Sequence, residues 1–335
     1  MAQEILTVEA AHALVAAALT ASNTSIENAL SVADALVGAE LVGQGGHGLR
    51  RVAAYTAQAR AGKVDGHAVP RLVMTRPSAI HIDAAHGFAY PAFDLAAREL
   101  REAAKAQGIA AAGIFRSHHA GVTGLAVEAL ADAGLVALMF ANAPASISPW
   151  GGRTPLYGTD PIAFACPVDD GLPVVIDLSL SKVARGKIMA ANQKGEPIPE
   201  GWAFDRDGNP TTDAKEALAG TMVPTGDAKG TALALMVELL AAGLTGANFA
   251  YEQSSFFDAE GAPPGSGQLI IAIDPEAFGG VRAVARFAEM AQAIQQVDGA
   301  RVPGAKRHEL RARLRRDGIP VDSALLDEIR QIAAR

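Results

Sequence analysis

A chain of 335 residues that is half apolar, with 34 glycines and 5% aromatics, has a globular composition long enough for two or three cores. Its net charge of −7 argues against general affinity for nucleic acid or anionic membranes. The single cysteine, Cys166, lies in an apolar run and excludes an internal disulfide framework or a cysteine-based metal site; an inert buried thiol is expected there.

The N-terminus, MAQEILTVEAAHALVAAAL, is acidic where a secretion signal needs positive charge, and a histidine interrupts its apolar part. It reads as an amphipathic helix capped by Thr7, in a cytoplasmic protein. Residues 7–60 are helical by pattern. In Ile26–Leu41 the apolar Ile26, Leu30, Ala33, Val37 and Leu41 recur at three- and four-residue spacing. Gly43-Gln-Gly-Gly-His-Gly48 follows and formally matches the dinucleotide fingerprint, with Asp65 downstream. Helical periodicity precedes it, whereas the fingerprint needs a strand, so a Rossmann site is not expected. A second helical pattern runs through Arg50, Arg51 and Tyr55, and Gly62–Gly66 with Pro70 end the region.

Strands are expected at Ala79–Asp83, Ile109–Phe115, Leu135–Phe140, Ile162–Cys166, Val174–Leu178 and Gln268–Asp274, with helices at Ala92–Gln107 and Val122–Ala133. Strands this close together after residue 135 predict an antiparallel or mixed sheet. Helices at Val183–Gln193 and Ala228–Leu244 flank a Gly-, Pro-, Asp- and Thr-rich loop, Pro197–Asp213. Thr231–Phe249 approaches membrane length, but Glu238 near its middle marks a buried core helix. Val281–Gln296, Arg307–Arg316 and Ser323–Ala334 close the chain as helices. The fold class is α/β (α+β).

Two stretches carry usable chemistry. His47, Arg51 and Tyr55 share one face if a helix begins near His47. Glycines at 45, 46 and 48 clear space around the imidazole, and the helix start adds partial positive charge beside Arg51. Such a guanidinium suits a carboxylate, leaving the histidine to move a proton; the bland alternative is a solvent-facing helix with a capping loop. Ser117-His118-His119-Ala120-Gly121 joins a strand to a helix, a junction that favours an anion at exposed helix N–H groups. Adjacent histidines point apart, so no metal site is expected; satisfied loop histidines are the competing reading. Asp205–Asn209 echoes a calcium loop but reads as a surface turn. The basic run Lys306, Arg307, Arg311, Arg313, Arg315 and Arg316 reads as a solvated helix face, with contact to a cofactor phosphate as the second possibility.

Taken together, GHGLRRVAAY (46–55), SHHAGVTG (117–124), PWGGRTPLYGTDPIAFACP (149–167), VIDLSLSKVARGKI (175–188), GEPIPEGWAFDRDGNPTTD (195–213) and GDAKG (226–230) resemble a malate/L-lactate dehydrogenase family unrelated in fold to the Rossmann dehydrogenases. The family also includes Δ1-piperideine-2-carboxylate/Δ1-pyrroline-2-carboxylate reductases and ureidoglycolate and sulfolactate dehydrogenases. The resemblance implies a homodimer with its site near the subunit interface. It implies a largely antiparallel, non-Rossmann NAD(P)-binding sheet domain (69–180 with 267–305), a helical substrate and dimerisation domain (1–68 with 306–335) and a helical domain (181–266).

By position, the resemblance makes His47 the proton donor, with His119 its rival. Arg51 becomes the carboxylate clamp, and Tyr55, Thr159, Arg185 and Gly186 become substrate contacts. His119, Ala120, Gly121, Val122, Thr123, Asp177, Leu178, Ser179, Lys229, Lys306 and Arg307 become cofactor contacts. The cofactor is NADP or NAD, with Lys182, Lys306 and Arg307 available for a 2′-phosphate. Two positions depart from the imino-acid reductases, which place a serine at Gly46 and an aspartate at Lys187. That shifts the expectation toward a 2-oxo/2-hydroxy acid, with cyclic 2-imino acids as the alternative and a non-catalytic nucleotide-binding protein as the remote one.

Overall fold

The computed structural model describes residues 2–169 and 171–335. Strand β1 (Gln3–Leu6) pairs antiparallel with β12 (Ile319–Asp322), so the two ends of the chain are stitched together. Helix α1 (Val8–Thr20) starts where the Thr7 hydroxyl accepts from Ala10 N at 3.1 Å, the expected cap. Helix α2 (Ile26–Leu41) buries Ala29, Val32, Ala33, Leu36, Val37 and Leu41, whereas Ile26 and Leu30, expected on the buried face, are exposed: the stripe that packs is rotated toward Ala29, Val32 and Leu36. Two single 3₁₀ turns, Gly45–His47 and Leu49–Arg51, lead into α3 (Val52–Ala61), which Gly62 ends at φ 74°.

Strands β2 (Arg71–Arg76) and β3 (Ala79–Asp83), helix α4 (Ala89–Gln107), β4 (Ile109–Ser117), α5 (Thr123–Ala131), β5 (Val136–Ala141), β6 (Ile162–Cys166) and β7 (Val174–Leu178) follow. Residues beyond β7 form a lobe of α6 (Arg185–Lys194), β8 (Ala203–Phe204), β9 (Pro210–Thr211), α7 (Ala214–Ala219) and β10 (Thr221–Met222). Its small core is built on Ile188, Ile198, Ala203, Ala217 and Met222. Helix α8 (Ala228–Glu238) runs through one π turn, and β11 (Ser266–Ile273) returns to the main sheet. Helices α9 (Pro275–Gly279), α10 (Ala283–Gln295), α11 (Ala305–Asp317) and α12 (Ser323–Ala333) complete the chain.

The seven-stranded sheet has the order β2-β3-β4-β11-β5-β6-β7. Only β3 and β4 pair in parallel, so the sheet is mixed and largely antiparallel, as expected. Central strand β11 (SGQLIIAI) is nearly all buried, and one continuous core joins this sheet to the N-terminal helices.

Three further expectations need correction. The loop 197–213 contains two of the strands of a small three-stranded sheet, β10-β8-β9, in which Asp205 closes the turn by accepting from Asp207 N and Asn209 N. The helix across 228–244 is not a buried core helix: Leu233, Leu235, Met236, Leu239 and Leu244 are exposed, because only its Ala234–Val237–Ala241 face meets the sheet. The basic run is not simply solvated. Arg311 holds the buried Glu128 carboxylate with two bonds at 2.7 and 2.5 Å, and Arg307 turns inward to Asp177.

Gly267 shows how tightly β11 is seated. A Cβ there would overlap the Ala241 carbonyl oxygen and lie 2.7 Å from the Ala247 side chain. Gly267→Ala should lower stability by about 1–3 kcal/mol, read as an earlier urea midpoint; an unchanged midpoint would mean that the helix can slide away from the strand.

Candidate active site

The site begins where β4 ends. Arg116 has φ 49° and is held there by the Asp83 carboxylate, which accepts from its Nε at 2.9 Å and from its Nη2. The next turns send the two histidines in different directions. His118 goes inward, with Nε2 2.7 Å from Gln58 Oε1, and Gln268 Nε2 donates to its carbonyl at 3.1 Å. His119 faces α3, where Nδ1 lies 2.6 Å from the Tyr55 hydroxyl. Its Nε2 is 3.2 Å from His47 Nδ1, and the two imidazoles stack with centroids 5.1 Å apart. The Tyr55 hydroxyl is in turn 3.1 Å from that of Tyr90 on α4. Both nitrogens of His119 are thus engaged, whereas His47 Nε2 has no protein partner among the described residues.

The turn bearing His47 is shaped from below by Glu40. Its Oε1 accepts from Leu49 N at 2.8 Å. A Cβ on Gly48 would overlap this carboxylate, and one on Gly45 would lie 3.1 Å from Oε2. These glycines therefore admit a carboxylate beneath the loop. His47 occupies a 3₁₀ turn rather than an α-helix, so helical spacing does not align it with Arg51 and Tyr55; His119, in contact with both His47 and Tyr55, is what brings them together. Arg51 Nε donates to Gly46 O at 2.8 Å and its guanidinium lies 4.4 Å from the centre of the Phe257 ring. Its Nη1 is buried and unpartnered among the described residues.

Phe257 and Phe256 belong to a strap fastened to α3 and the turn after it. Lys63 Nζ donates to Ser255 O at 2.7 Å and Asp258 O at 3.1 Å, and Gln58 Nε2 donates to Phe256 O at 3.0 Å. The Phe256 ring then packs 5.3 Å from His118 and 5.0 Å from His119.

Burial governs the protonation of this cluster. It pushes His47 down to about 4, helped by the Arg51 charge and opposed by Asp177. His118 falls to about 3, chiefly by burial, with Arg51 and Lys63 adding to it. His119 is held well below its ordinary value by burial and then by Arg51. Burial raises Tyr55 to about 12 and pushes Tyr90 up as well. At neutral pH the imidazoles are uncharged and the phenols keep their protons.

The residues expected at the nucleotide form an adjoining cluster. Asp177 accepts from Thr123 Oγ1 at 2.9 Å, Gly124 N at 3.1 Å and Arg307 Nη2 at 3.2 Å. Among the described residues Arg307 Nη1 is buried without a partner, and α5 is capped from β7 by Asp177 rather than by the residue that precedes the helix. Ala120 and Val122 are buried beside it, and Gly121, at φ 64°, lets the loop lie against the Tyr90 hydroxyl. Ser179 bonds to Thr159 O and Ser181 Oγ, while Leu178, Lys229 and Lys306 are exposed. Tyr55, expected at the substrate, has no exposed surface. Arg185 lies in the lobe with Nη2 on Leu218 O at 3.3 Å, and Gly186 is exposed. No hydrogen bond among the described residues joins Arg185, Gly186, Lys229 or Lys306 to His47 or Arg51, and none of the described residues form a metal-binding group.

Sequence reasoning missed Glu40, Gln58, Lys63, Tyr90, Phe256 and Phe257, whose roles rest on long-range contacts. His118 offers a check on the electrostatics. The unfolded chain holds a proton on it from pH 6.5 downward, the folded chain only near pH 3. Stability is therefore lost as pH falls from 6.5 toward 3, by up to about 1.4 kcal/mol per pH unit from this imidazole. Urea titrations between pH 6 and 4 should give a flatter dependence for His118→Gln than for the parent; equal slopes would mean that His118 charges freely in the folded protein.

Residues 6–330 match the family model described as malate/L-lactate dehydrogenase. The (2R)-3-sulfolactate dehydrogenase (NADP(+)) of Chromohalobacter salexigens is 49% identical over 329 residues, 98% of each chain. The Δ1-pyrroline-2-carboxylate/Δ1-piperideine-2-carboxylate reductase of Pseudomonas aeruginosa is 42% identical over 301 residues, 89% of this chain and 90% of that one. The crystal structure of Δ1-piperideine-2-carboxylate reductase from Pseudomonas syringae pvar. tomato matches with a TM-score of 0.93 at 36% identity, covering 98% of this chain and 99% of that one. With the family model matched over residues 6–330 and with relatives and a solved structure matched over almost the whole chain, the chain belongs to the malate/L-lactate dehydrogenase family.

Proposed function

We propose that the chain is an NAD(P)-dependent oxidoreductase interconverting a small 2-oxo acid and the corresponding 2-hydroxy acid. The observation that carries this reading is the Arg51 guanidinium, buried with Nη1 unpartnered, beside an imidazole whose Nε2 is free. An unpaired buried guanidinium is costly; a substrate carboxylate would satisfy it and place the adjoining C2 oxygen near His47. His47 rather than His119 is then the group that touches substrate, because His119 has no nitrogen to spare. Thr159, Arg185 and Gly186 would complete the pocket, and Tyr55 would act through His119.

The residues present fit a dinucleotide. Arg307 Nη1 offers a donor to phosphate beside the start of α5, where Asp177 accepts from Thr123 Oγ1 and Gly124 N. When bound, the nicotinamide supplies or accepts the hydride at C2. The protein holds the carboxylate at Arg51 and moves a proton at His47 Nε2, while the Phe256–Phe257 strap shields the imidazoles from water. NADP is favoured over NAD, with Lys182, Lys306 and Arg307 for the 2′-phosphate; the relative at 49% identity carries NADP(+) in its name. That name also makes a 3-sulfonated 2-hydroxy acid the first substrate to try. Cyclic 2-imino acids are the second reading, favoured by the names of the reductases at 42% and 36% identity but not by Gly46 and Lys187.

We also assign the three sequence regions the roles expected of them: nucleotide binding for 69–180 with 267–305, and substrate binding and dimerisation for 1–68 with 306–335, with 181–266 as the helical domain. A cytoplasmic homodimer is part of the same reading; among the described residues no helix is long and apolar enough to cross a membrane. Support for the dimer comes from edge strand β2, which exposes Leu72, Val73 and Met74, and from the exposed apolar side of α8. Light scattering should give twice the 34.4 kDa chain mass, and a monomer at micromolar concentration would remove this part of the reading.

The central test is NADPH and NADH oxidation with pyruvate, oxaloacetate, sulfopyruvate, Δ1-pyrroline-2-carboxylate and Δ1-piperideine-2-carboxylate. Turnover of a 2-oxo acid is expected, and no turnover with any of them would favour the nucleotide-binding alternative. His47→Ala should lower kcat by roughly 10²–10⁴-fold. Arg51→Met should act mainly on KM, raising it by roughly 10–100-fold.

A further inference from the structure

We infer that the proton His47 gives to substrate is replaced from inside the protein, along a chain of hydrogen bonds that ends at Tyr90. The inference rests on the reading of His47 as the proton donor and extends it to two positioning residues, Tyr55 and Tyr90.

The geometry consists of three consecutive links. Tyr90 and Tyr55 hydroxyls are 3.1 Å apart, the Tyr55 hydroxyl and His119 Nδ1 2.6 Å, and His119 Nε2 and His47 Nδ1 3.2 Å. Each link needs one hydrogen, and the four neutral groups carry four between them. Two arrangements fill all three links. In one, every hydrogen points toward His47, and the fourth sits on His47 Nε2, ready to be given. In the other, every hydrogen points toward Tyr90, His47 Nε2 is bare and ready to accept, and the fourth sits on the Tyr90 hydroxyl. The first suits reduction of a carbonyl and the second suits oxidation of an alcohol. A neutral imidazole gives up its Nε2 proton readily only if Nδ1 is refilled in the same event, and His119 is placed to refill it.

The step balances without any further redox partner. In reduction the His47 Nε2–H bond breaks as the substrate O–H bond forms. The His119 Nε2–H bond breaks as His47 Nδ1–H forms, and the Tyr55 O–H bond breaks as His119 Nδ1–H forms. Finally the Tyr90 O–H bond breaks as Tyr55 O–H is remade, and water returns a proton to Tyr90. Both electrons of the reduction arrive with the hydride.

Tyr90 is where the chain reaches a second opening. It lines a cleft of 340 Å³ together with Ser31, Phe93, Asp94 and Ala120, and neither His47, Arg51 nor His119 lines that cleft. Asp94, one helical turn beyond Tyr90, accepts from Ser31 Oγ at 2.7 Å. Gly121 makes the approach possible, since a Cβ there would lie 2.5 Å from the Tyr90 hydroxyl. The inference places proton entry on this side of the molecule, with substrate on the other. Among charged and titratable groups, Arg51 faces His47, both other histidines and both tyrosines; Asp177 faces His47; and His118, with Lys63 beyond it, faces His119.

The test uses Tyr90→Phe and Tyr55→Phe, each removing one oxygen and keeping the ring, in the full-length protein with the substrate it turns over best. Both variants should melt near the parent and keep KM within about twofold while kcat falls about tenfold or more. The dependence of kcat on deuterium content should be curved in the parent, where several protons move together, and linear in both variants. In the cofactor-free protein, ¹⁵N spectra of labelled histidine should show the tautomers of both His47 and His119 shifting in Tyr55→Phe. Parent-like kcat or a curved isotope dependence in Tyr90→Phe overturns the inference, as do unshifted His47 and His119 signals in Tyr55→Phe. If the parent reduces no 2-oxo or 2-imino acid, the functional reading fails on its own, and the nitrogen spectra still decide whether the chain of hydrogen bonds exists.

Discussion

An imidazole buried with a partner at each nitrogen has almost no rotational freedom, and His119 is such a group. The Tyr55 hydroxyl fixes one side of its ring and His47 the other. Removing either partner would leave a desolvated nitrogen unpaired, at a cost of about 1–3 kcal/mol. The two histidines come from segments separated by 72 residues, so this contact also locks the N-terminal helices onto the end of strand β4. Much of the surrounding structure serves to keep water away from that contact and to hold its backbone still.

The supports are themselves buried polar groups bonded to one another. Gln58 uses its carbonyl oxygen on His118 and its amide nitrogen on Phe256 O, so one side chain positions both a histidine and the strap above it. Lys63 secures the same strap at two carbonyl oxygens. Glu40 fixes the opposite wall by bonding to Leu49 N, and burial raises its carboxyl above the ordinary range. Each element of the site is thereby held by a helix or strand that packs in the main core. Precise placement of Arg51 follows, since its guanidinium is trapped between Gly46 O and the face of Phe257.

Much of this architecture was legible in periodicity and turn chemistry. The strands at 79–83, 162–166 and 174–178, the Thr7 cap and the mixed sheet all follow from local pattern, whereas the buried face of α2 runs along Ala29, Val32 and Leu36 rather than through Ile26 and Leu30. The meeting of His47 with Tyr55 was legible only in part, because it runs through His119 from a distant segment rather than along one helix face. Tyr90, Phe256 and Phe257 were not legible, because each meets the site across a long stretch of chain and none sits in a repeating pattern. The edge strand β2 has every residue exposed and therefore no alternation to announce it. Exposed leucines on α8 misled for a related reason: apolar content predicts burial against something, and within one chain the sheet covers only one side of the helix.

The departures at Gly46 and Lys187 look different once the geometry is known. A Cβ at position 46 would meet nothing within 4 Å, so the glycine there is not required by crowding. Its carbonyl is occupied in orienting Arg51. Lys187 is exposed on the lobe, and its recorded bond is from its backbone N–H to Ala184 O. Neither position needs to supply the group that sets the tilt of His47, because stacking on His119 at 5.1 Å and the bond at Nδ1 already set it. The group that orients the His47 ring is another imidazole, itself held by a buried phenol, so the turn at 45–48 keeps its geometry without a serine or an aspartate.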